Sequence, residues 1–228
     1  MSDSVTRVIA FDVNETLLDL SSLDSAFGEV LGDPTLRAQW FAQMLQLSFV
    51  GGLTGEYLDF TAAQKAAFLM IAQRAGAGVT DKDAETMVHR MSSLPAYAEV
   101  DEALGRLMDS SLTVVALTNS VAEVAEAQLS SAGIRGRFEE VLSADAVRKL
   151  KPAREAYELV ATTCGVGLDQ VRLVAAHAWD VSGALAAGCK AAFVIRPGMV
   201  PSPVGRQPDI IGNGLTEVVD KILETDLA

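Results

Sequence analysis

The sequence predicts a doubly wound, Rossmann-like α/β core of parallel strands with an all-helical cap inserted after the first strand. Short strand-like apolar runs alternate with helical patterns over residues 1–19 and 98–228, as a repeated strand-helix-strand unit requires. Several of these runs are apolar at consecutive positions, which marks strands buried on both faces. Between them, from about residue 20 to 97, no strand period appears and the apolar spacing is helical throughout. The core is therefore assigned to residues 1–19 and 98–228, and the cap to residues 20–97.

The first strand is "RVIAFDV", which leaves its apolar run in a carboxylate at Asp12 and turns at once through Asn14, Glu15 and Thr16. The cap follows, with helical spacing in "TLRAQWFAQMLQLSFV", "YLDFTAAQKAAFLMIAQRAG" and "DKDAETMVHRMSSL". Beyond it come strand-like runs at "LTVVALT", "EEVLSA", "VRLVAA" and "KAAFVI". Helical patterns separate these runs: Val121 to Ala132, Pro152 to Cys164 and Val181 to Ala187, each closed by the glycine that a helix C-terminus favours. The stretch "RPGMVPSPVGRQP" reads as a surface loop before a last helix, Leu215 to Leu223. No internal repeat or low-complexity tract interrupts the pattern.

Composition narrows the function. A chain of 228 residues with 50% hydrophobic content can bury a large core. Its formal net charge of -12 speaks against nucleic acid or an anionic membrane surface as partner, because both need a concentrated positive face. The N-terminus lacks a signal-type apolar run and no segment approaches the ~20 apolar residues that span a bilayer, so a soluble cytoplasmic protein is expected. Two isolated cysteines, Cys164 and Cys189, read as free thiols in a reducing compartment.

Four polar residues fall at the ends of successive strands: Asp12, Thr118, Lys151 and Asp180. Strand ends in a doubly wound sheet converge on one crevice. A carboxylate beside a cation, a hydroxyl and a second carboxylate suits nucleophilic catalysis, with an aspartate attacking an electrophile and water cleaving the resulting ester. The lysine lowers the nucleophile's pKa and the second aspartate can take a proton from water.

The segments "FDVNETLLD", "ALTNS", "LKPAREAYELV" and "AAHAWD" resemble the four motifs of the haloacid dehalogenase superfamily, specifically its type II L-2-haloacid dehalogenases, across essentially the whole chain. The resemblance implies that Asp12 is the nucleophile and Thr16 its loop partner. By the same resemblance Thr118 and Asn119 would bind the substrate carboxylate or help hold the nucleophile, Lys151 would neutralise charge with Tyr157 as its supporting hydroxyl, and Asp180 would position or activate water. It further implies hydrolytic dehalogenation of short 2-haloalkanoic acids to 2-hydroxy acids, without metal or organic cofactor, by a homodimer.

Departures from the family pattern bear on the substrate. Asn14 and Glu15 stand where an aromatic residue and glycine usually follow the nucleophile. Phe41 stands where the cap supplies an arginine, with Arg37 one turn earlier. Ala175, Ala176 and His177 replace Ser-Ser-Asn before the Trp-Asp pair. Asn14, Phe41, His177 and Trp179 are accordingly read as pocket residues, and Arg37, His177 and Trp179 as candidate donors to the halide. His177 has a structural role as its alternative, and His89 is read as a surface residue. Two rival functions are a magnesium-dependent phosphatase of the same superfamily and a non-catalytic small-molecule-binding relative. Asn14 and His177 weaken the oxygen-ligand set that the phosphatase needs.

Overall fold

The computed structural model describes residues 5–227. The first four residues of the N-terminal stretch read above lie outside that range. Six parallel strands form one sheet: β1 (Val8–Phe11), β2 (Thr113–Thr118), β3 (Glu140–Ser143), β4 (Val171–Ala175), β5 (Lys190–Ile195) and β6 (Ile210–Asn213). Their order is β3-β2-β1-β4-β5-β6, so the winding reverses between β1 and β4. Ligands in such sheets bind outside the carboxyl ends at that reversal. Every residue of β1 is buried, as a central parallel strand demands, with Ile9 opposite Val114 on one side and Arg172 on the other.

Successive residues of the strands feed two separate cores. Val8, Ala10, Val115, Leu173 and Phe193 face one side, under helices α7 (Arg154–Cys164) and α8 (Ala178–Ala187). Ile9, Phe11, Val114, Ala116 and Val174 face the other, under α5 (Val100–Met108), α6 (Ala122–Ser131) and α9 (Leu215–Asp226). This second core runs on without a break into the helical segment between β1 and α5.

That segment contains α1 (Asp24–Leu31), α2 (Leu36–Thr54), α3 (Phe60–Ala75) and α4 (Asp81–His89), and no strand. Trp40 anchors it: its indole N–H donates to the Gln64 carbonyl at 2.9 Å, and its ring lies 5.3 Å from that of Phe27. A reciprocal capping box between Thr80 and Asp83 starts α4. Its two connections to the sheet run side by side, with Asp19 N–H donating to Pro95 and Tyr97 N–H to Leu17.

The elements differ from the sequence reading in several places: α5 carries no assignment above, and α9 runs on to Asp226 instead of ending at Leu223. The edge strand β6 lies in the stretch between the Pro/Gly-rich loop and α9, which carries no strand assignment above; it is four residues long, contains Gly212 and is buried only at alternate positions. Helix α7 starts at Arg154 and not at Pro152. Helix α8 starts at Ala178 and not at Val181, which puts Asp180 in its first turn.

Candidate active site

The carboxyl ends of β1, β2 and β4 carry the site. Backbone pairing fixes Asp12, whose N–H donates to the Val174 carbonyl at 3.0 Å. The chain then folds back tightly, with Leu17 and Leu18 N–H both donating to the Val13 carbonyl. Thr16 is thereby brought under Asp12: its hydroxyl donates to Asp12 Oδ2 at 2.6 Å and accepts from the Ala176 N–H at 2.9 Å.

Lys151, with its side chain buried, reaches the centre from the loop before α7. Its ammonium donates to Asp12 Oδ1 at 2.8 Å, Asp180 Oδ2 at 2.6 Å and the Leu117 carbonyl at 2.9 Å, which uses all three protons. Asn119 holds the Lys151 backbone at both ends, accepting from its N–H at 2.7 Å and donating to its carbonyl at 3.2 Å. Tyr157, on α7, donates to Asp180 Oδ1 at 2.7 Å from behind the pocket. Thr118 lines the pocket with its hydroxyl accepting from the Ser120 N–H. Asn14 donates to the Ser120 hydroxyl at 3.3 Å and accepts from Gln128 at 2.9 Å.

His177 sits against Asp12. Its Nδ1 is 3.1 Å from Asp12 Oδ2 and its Nε2 3.0 Å from Glu15 Oε2. Phe41 stacks on the imidazole at 5.5 Å and 13°, and Trp179 stacks on it at 5.3 Å and 29°. The space between Asp12, Lys151, His177 and the rings of Phe41, Phe60 and Trp179 is about 10 Å³, enough for a single water. Trp179 Nε1 is buried without a hydrogen-bond partner. Arg37 is not among the residues that line this space. It turns to Glu15 and Asp24, at 3.0 and 2.5 Å, so its expected availability to a halide is corrected.

Charges in the cluster shape one another. Burial disfavours the charged form of Asp12, but Lys151 and His177 outweigh it and hold the carboxyl far below its usual range. Burial likewise opposes the Lys151 charge, and Asp12 and Asp180 overcome it, raising the ammonium pKa. Burial and the neighbouring charge of Asp12 win at Asp180, whose pKa is raised despite Lys151. At His177 burial is overcome by the hydrogen bonds to Asp12 and Glu15, which push the imidazole up to about 9. The result is an ionised carboxylate beside a carboxylate of higher basicity, with one ammonium between them.

The structure thus brings Asp12, Thr16, Lys151, Asp180, Tyr157, Asn119 and His177 into one cluster, with Asn14, Thr118, Phe41 and Trp179 around the cavity. His89 is exposed. Phe60, which lines the cavity, and Glu15, which holds His177, were not among the expected site residues. Phe60 opens α3 with no polar signature to single it out, whereas the break from the family pattern at Glu15 was a usable signal. Among the described residues, no group of three His, Cys, Asp or Glu is placed to hold a metal ion. The amide of Asn14 is already engaged by Gln128 and Ser120, so the donor set does not suit a hard divalent cation.

A doubly wound sheet that presents a buried carboxylate, ammonium and second carboxylate at its winding reversal has the frame of a hydrolase. The sequence matches the family model of haloacid dehalogenase-like hydrolases over residues 6–188, and the chain belongs to that family. Among curated relatives it is 28% identical to the (S)-2-haloacid dehalogenase of Pseudomonas sp. (strain YL), over 93% of this chain and 92% of that one. It is also 28% identical to haloacetate dehalogenase H-2 of Moraxella sp. (strain B), over 89% and 92%. The solved structure of the L-2-haloacid dehalogenase RSc1362 matches with a TM-score of 0.90 at 26% identity, covering 99% of this chain and all of that one. The Xanthobacter autotrophicus L-2-haloacid dehalogenase with chloropropionic acid covalently bound shares the fold, at a TM-score of 0.89 and 22% identity over 96% and 99%.

Proposed function

We propose that the protein hydrolyses short 2-haloalkanoic acids to the 2-hydroxy acid and halide through an ester on Asp12. The observation that carries this reading is the seat of Lys151 Nζ between Asp12 and Asp180. It keeps one carboxylate ionised for attack and leaves the other, with its raised pKa, able to accept a proton. The dehalogenase activities of the curated relatives, matched along nine-tenths of the chain, support it.

In the first step an oxygen of Asp12 attacks the substrate Cα. A carbon-oxygen bond forms as the carbon-halogen bond breaks, and the halide leaves with the bonding electrons. The unpartnered Trp179 N–H is the donor ready to receive that anion. In the second step water attacks the ester carbonyl of Asp12 as Asp180 removes its proton. Breakdown of the adduct returns the Asp12 carboxylate and releases the 2-hydroxy acid, whose alkoxide takes the proton. Thr16 and Lys151 hold the Asp12 oxygens in place, and Tyr157 steadies Asp180.

Residues 20–97 act in this reading as the cap of the pocket, contributing Phe41 and Phe60, with the core formed by residues 1–19 and 98–228. The working protein is a cytoplasmic homodimer, supported by the family resemblance; both cysteines are free thiols. No described helix is long and apolar enough to cross a membrane.

The test is halide release from chloroacetate, 2-chloropropionate and 2-bromopropionate, with a phosphate monoester in parallel and a chelator in half of the samples. The expected result is halide release that the chelator leaves unchanged. Phosphate release that the chelator abolishes, with no halide from any haloacid, contradicts the reading and favours the phosphatase.

A further inference from the structure

Where the family pattern has glycine, this chain has Glu15, held at φ 60. A residue with a side chain is disfavoured in the left-handed region, and a strained conformer persists only where its surroundings require it. The Glu15 carboxylate is fully used. One oxygen faces His177 Nε2 at 3.0 Å and the other accepts from Arg37 at 3.0 Å.

The two contacts of the imidazole fix its protonation state by hydrogen-bond logic. A neutral imidazole has one N–H and one acceptor nitrogen, whereas an ionised carboxylate only accepts. Both His177 nitrogens face carboxylates. Asp12 is kept ionised by Lys151, and Glu15 faces the Arg37 guanidinium. Only an imidazolium can donate to both sides.

We propose that Glu15, braced by Arg37, is a positioning residue that holds His177 against Asp12 as an imidazolium, so that His177 supplies the pocket cation that Phe41 cannot. The assignment rests on the dehalogenase reading for its role in the reaction. The charged groups facing the ring are Asp12 beyond β1 and Glu15 on the turn after it. Lys151 and Asp180 lie behind Asp12, and Arg37 on α2 and Asp24 on α1 lie behind Glu15. Phe41 and Trp179 stack on the ring and bring no charge. With His177 charged, Lys151, Arg37 and His177 set three cations against the buried carboxylates of Asp12, Asp180 and Glu15 and the more exposed Asp24. With His177 neutral, the cluster carries one more unmatched negative charge and repels an anionic haloacid more strongly. When Asp12 becomes an ester it loses the charge that holds Nδ1–H, and that donor is freed for the anions in the pocket.

The decisive experiment is an NMR titration of the imidazole nitrogens, run alongside pH profiles of kcat/KM for 2-chloropropionate. The chain has two histidines, and exposed His89 serves as the internal reference. In the unmodified protein His177 is expected to be doubly protonated at pH 7, with its midpoint near 9. Glu15→Gln should lower that midpoint by at least about one unit. It should move the alkaline limb of kcat/KM down with it, a loss of about twofold at pH 8 that grows to nearly tenfold by about pH 10. Glu15→Gly, which relaxes the backbone, should do the same while remaining folded, and His177→Asn should remove the limb. A neutral His177 at pH 7, or a limb that neither Glu15 variant moves, overturns the proposal. Absence of halide release from the unmodified protein overturns the reaction instead, and the titration then still decides the charge of His177.

Discussion

His177 ties the chemistry of the pocket to the stability of the fold. Its imidazole pKa rises from an ordinary 6.5 to about 9 in the folded chain, so folding binds a proton there. For a group raised in this way, the stabilisation is complete below the unfolded value and is lost as pH climbs through the folded one. Urea unfolding is therefore expected to show a fall of about 3 kcal/mol between pH 6.5 and 9, which His177→Asn abolishes. A flat stability profile across that window would contradict the charged state. Asp12 behaves in the opposite sense. Its depressed pKa gives stability that is present above about 3.8 and lost only in strong acid, so Asp12 remains ionised at neutral pH. Little at this scale was legible in the sequence beyond residue type. Asp12, Lys151 and Asp180 stood out because they end strands, but the partners of His177 come from residues 12 and 15, far away in the chain, and no local pattern announces them.

At the scale of elements, the close approach of α8 to the Lys151 loop sets the geometry. Gly183 permits it: a Cβ there would lie 2.5 Å from Pro152 Cβ and 2.5 Å from the Tyr157 hydroxyl. Gly183→Ala must push apart the elements that carry Asp180, Tyr157 and Lys151. An overpacked site of this kind typically costs about 1–3 kcal/mol, and the displaced cluster should lose about tenfold or more in kcat, because catalysis tolerates little misplacement. Steady-state kinetics beside thermal unfolding check both. Four of the strands from "RVIAFDV" to "KAAFVI" were readable because burial on both faces leaves consecutive apolar residues, whereas the edge strand β3 is only partly buried. β6 was not, since an edge strand with a half-exposed face and a glycine loses that signature. Most of the helices were readable by period, but α5 was not assigned, and α7 and α8 start two residues later and three residues earlier than the period placed them.

For the whole molecule, a second buried charge cluster lies among the sheet and α9, away from the pocket residues. Arg172 on β4, buried, binds both oxygens of Asp226 at 2.6 and 3.0 Å and pairs with Asp209, while Thr6 donates to Asp226 at 2.7 Å. This pins the last helix to the sheet, and it explains a cation in an otherwise apolar strand. Asp226→Ala strips a buried cation of one partner, a change that costs about 3–5 kcal/mol when the cation is left alone. With Asp209 remaining, a loss near the lower end is expected in urea unfolding at pH 7, with kcat little changed. A loss of activity equal to that of the pocket variants would contradict the separation of the two clusters. The architecture as a whole, a parallel sheet interrupted by helices after its first strand, was legible from the period alone. The closure of the pocket to a single water's volume was not, because it depends on Phe41 of α2 stacking on His177, which, with Trp179, sits at the start of α8, far away in the chain.

The central claim is that Asp12 ends its strand in order to attack. It is tested most directly by a single turnover, with enzyme in excess over 2-chloropropionate, in water enriched in heavy oxygen. Water that cleaves the ester at the Asp12 carbonyl leaves its oxygen on the protein, and the product takes its new oxygen from the old carboxylate. The predicted result is label in the peptide containing Asp12 and none in the released 2-hydroxy acid. Label appearing in the product of that first turnover would mean that water attacks the substrate directly, and would contradict Asp12 as the nucleophile.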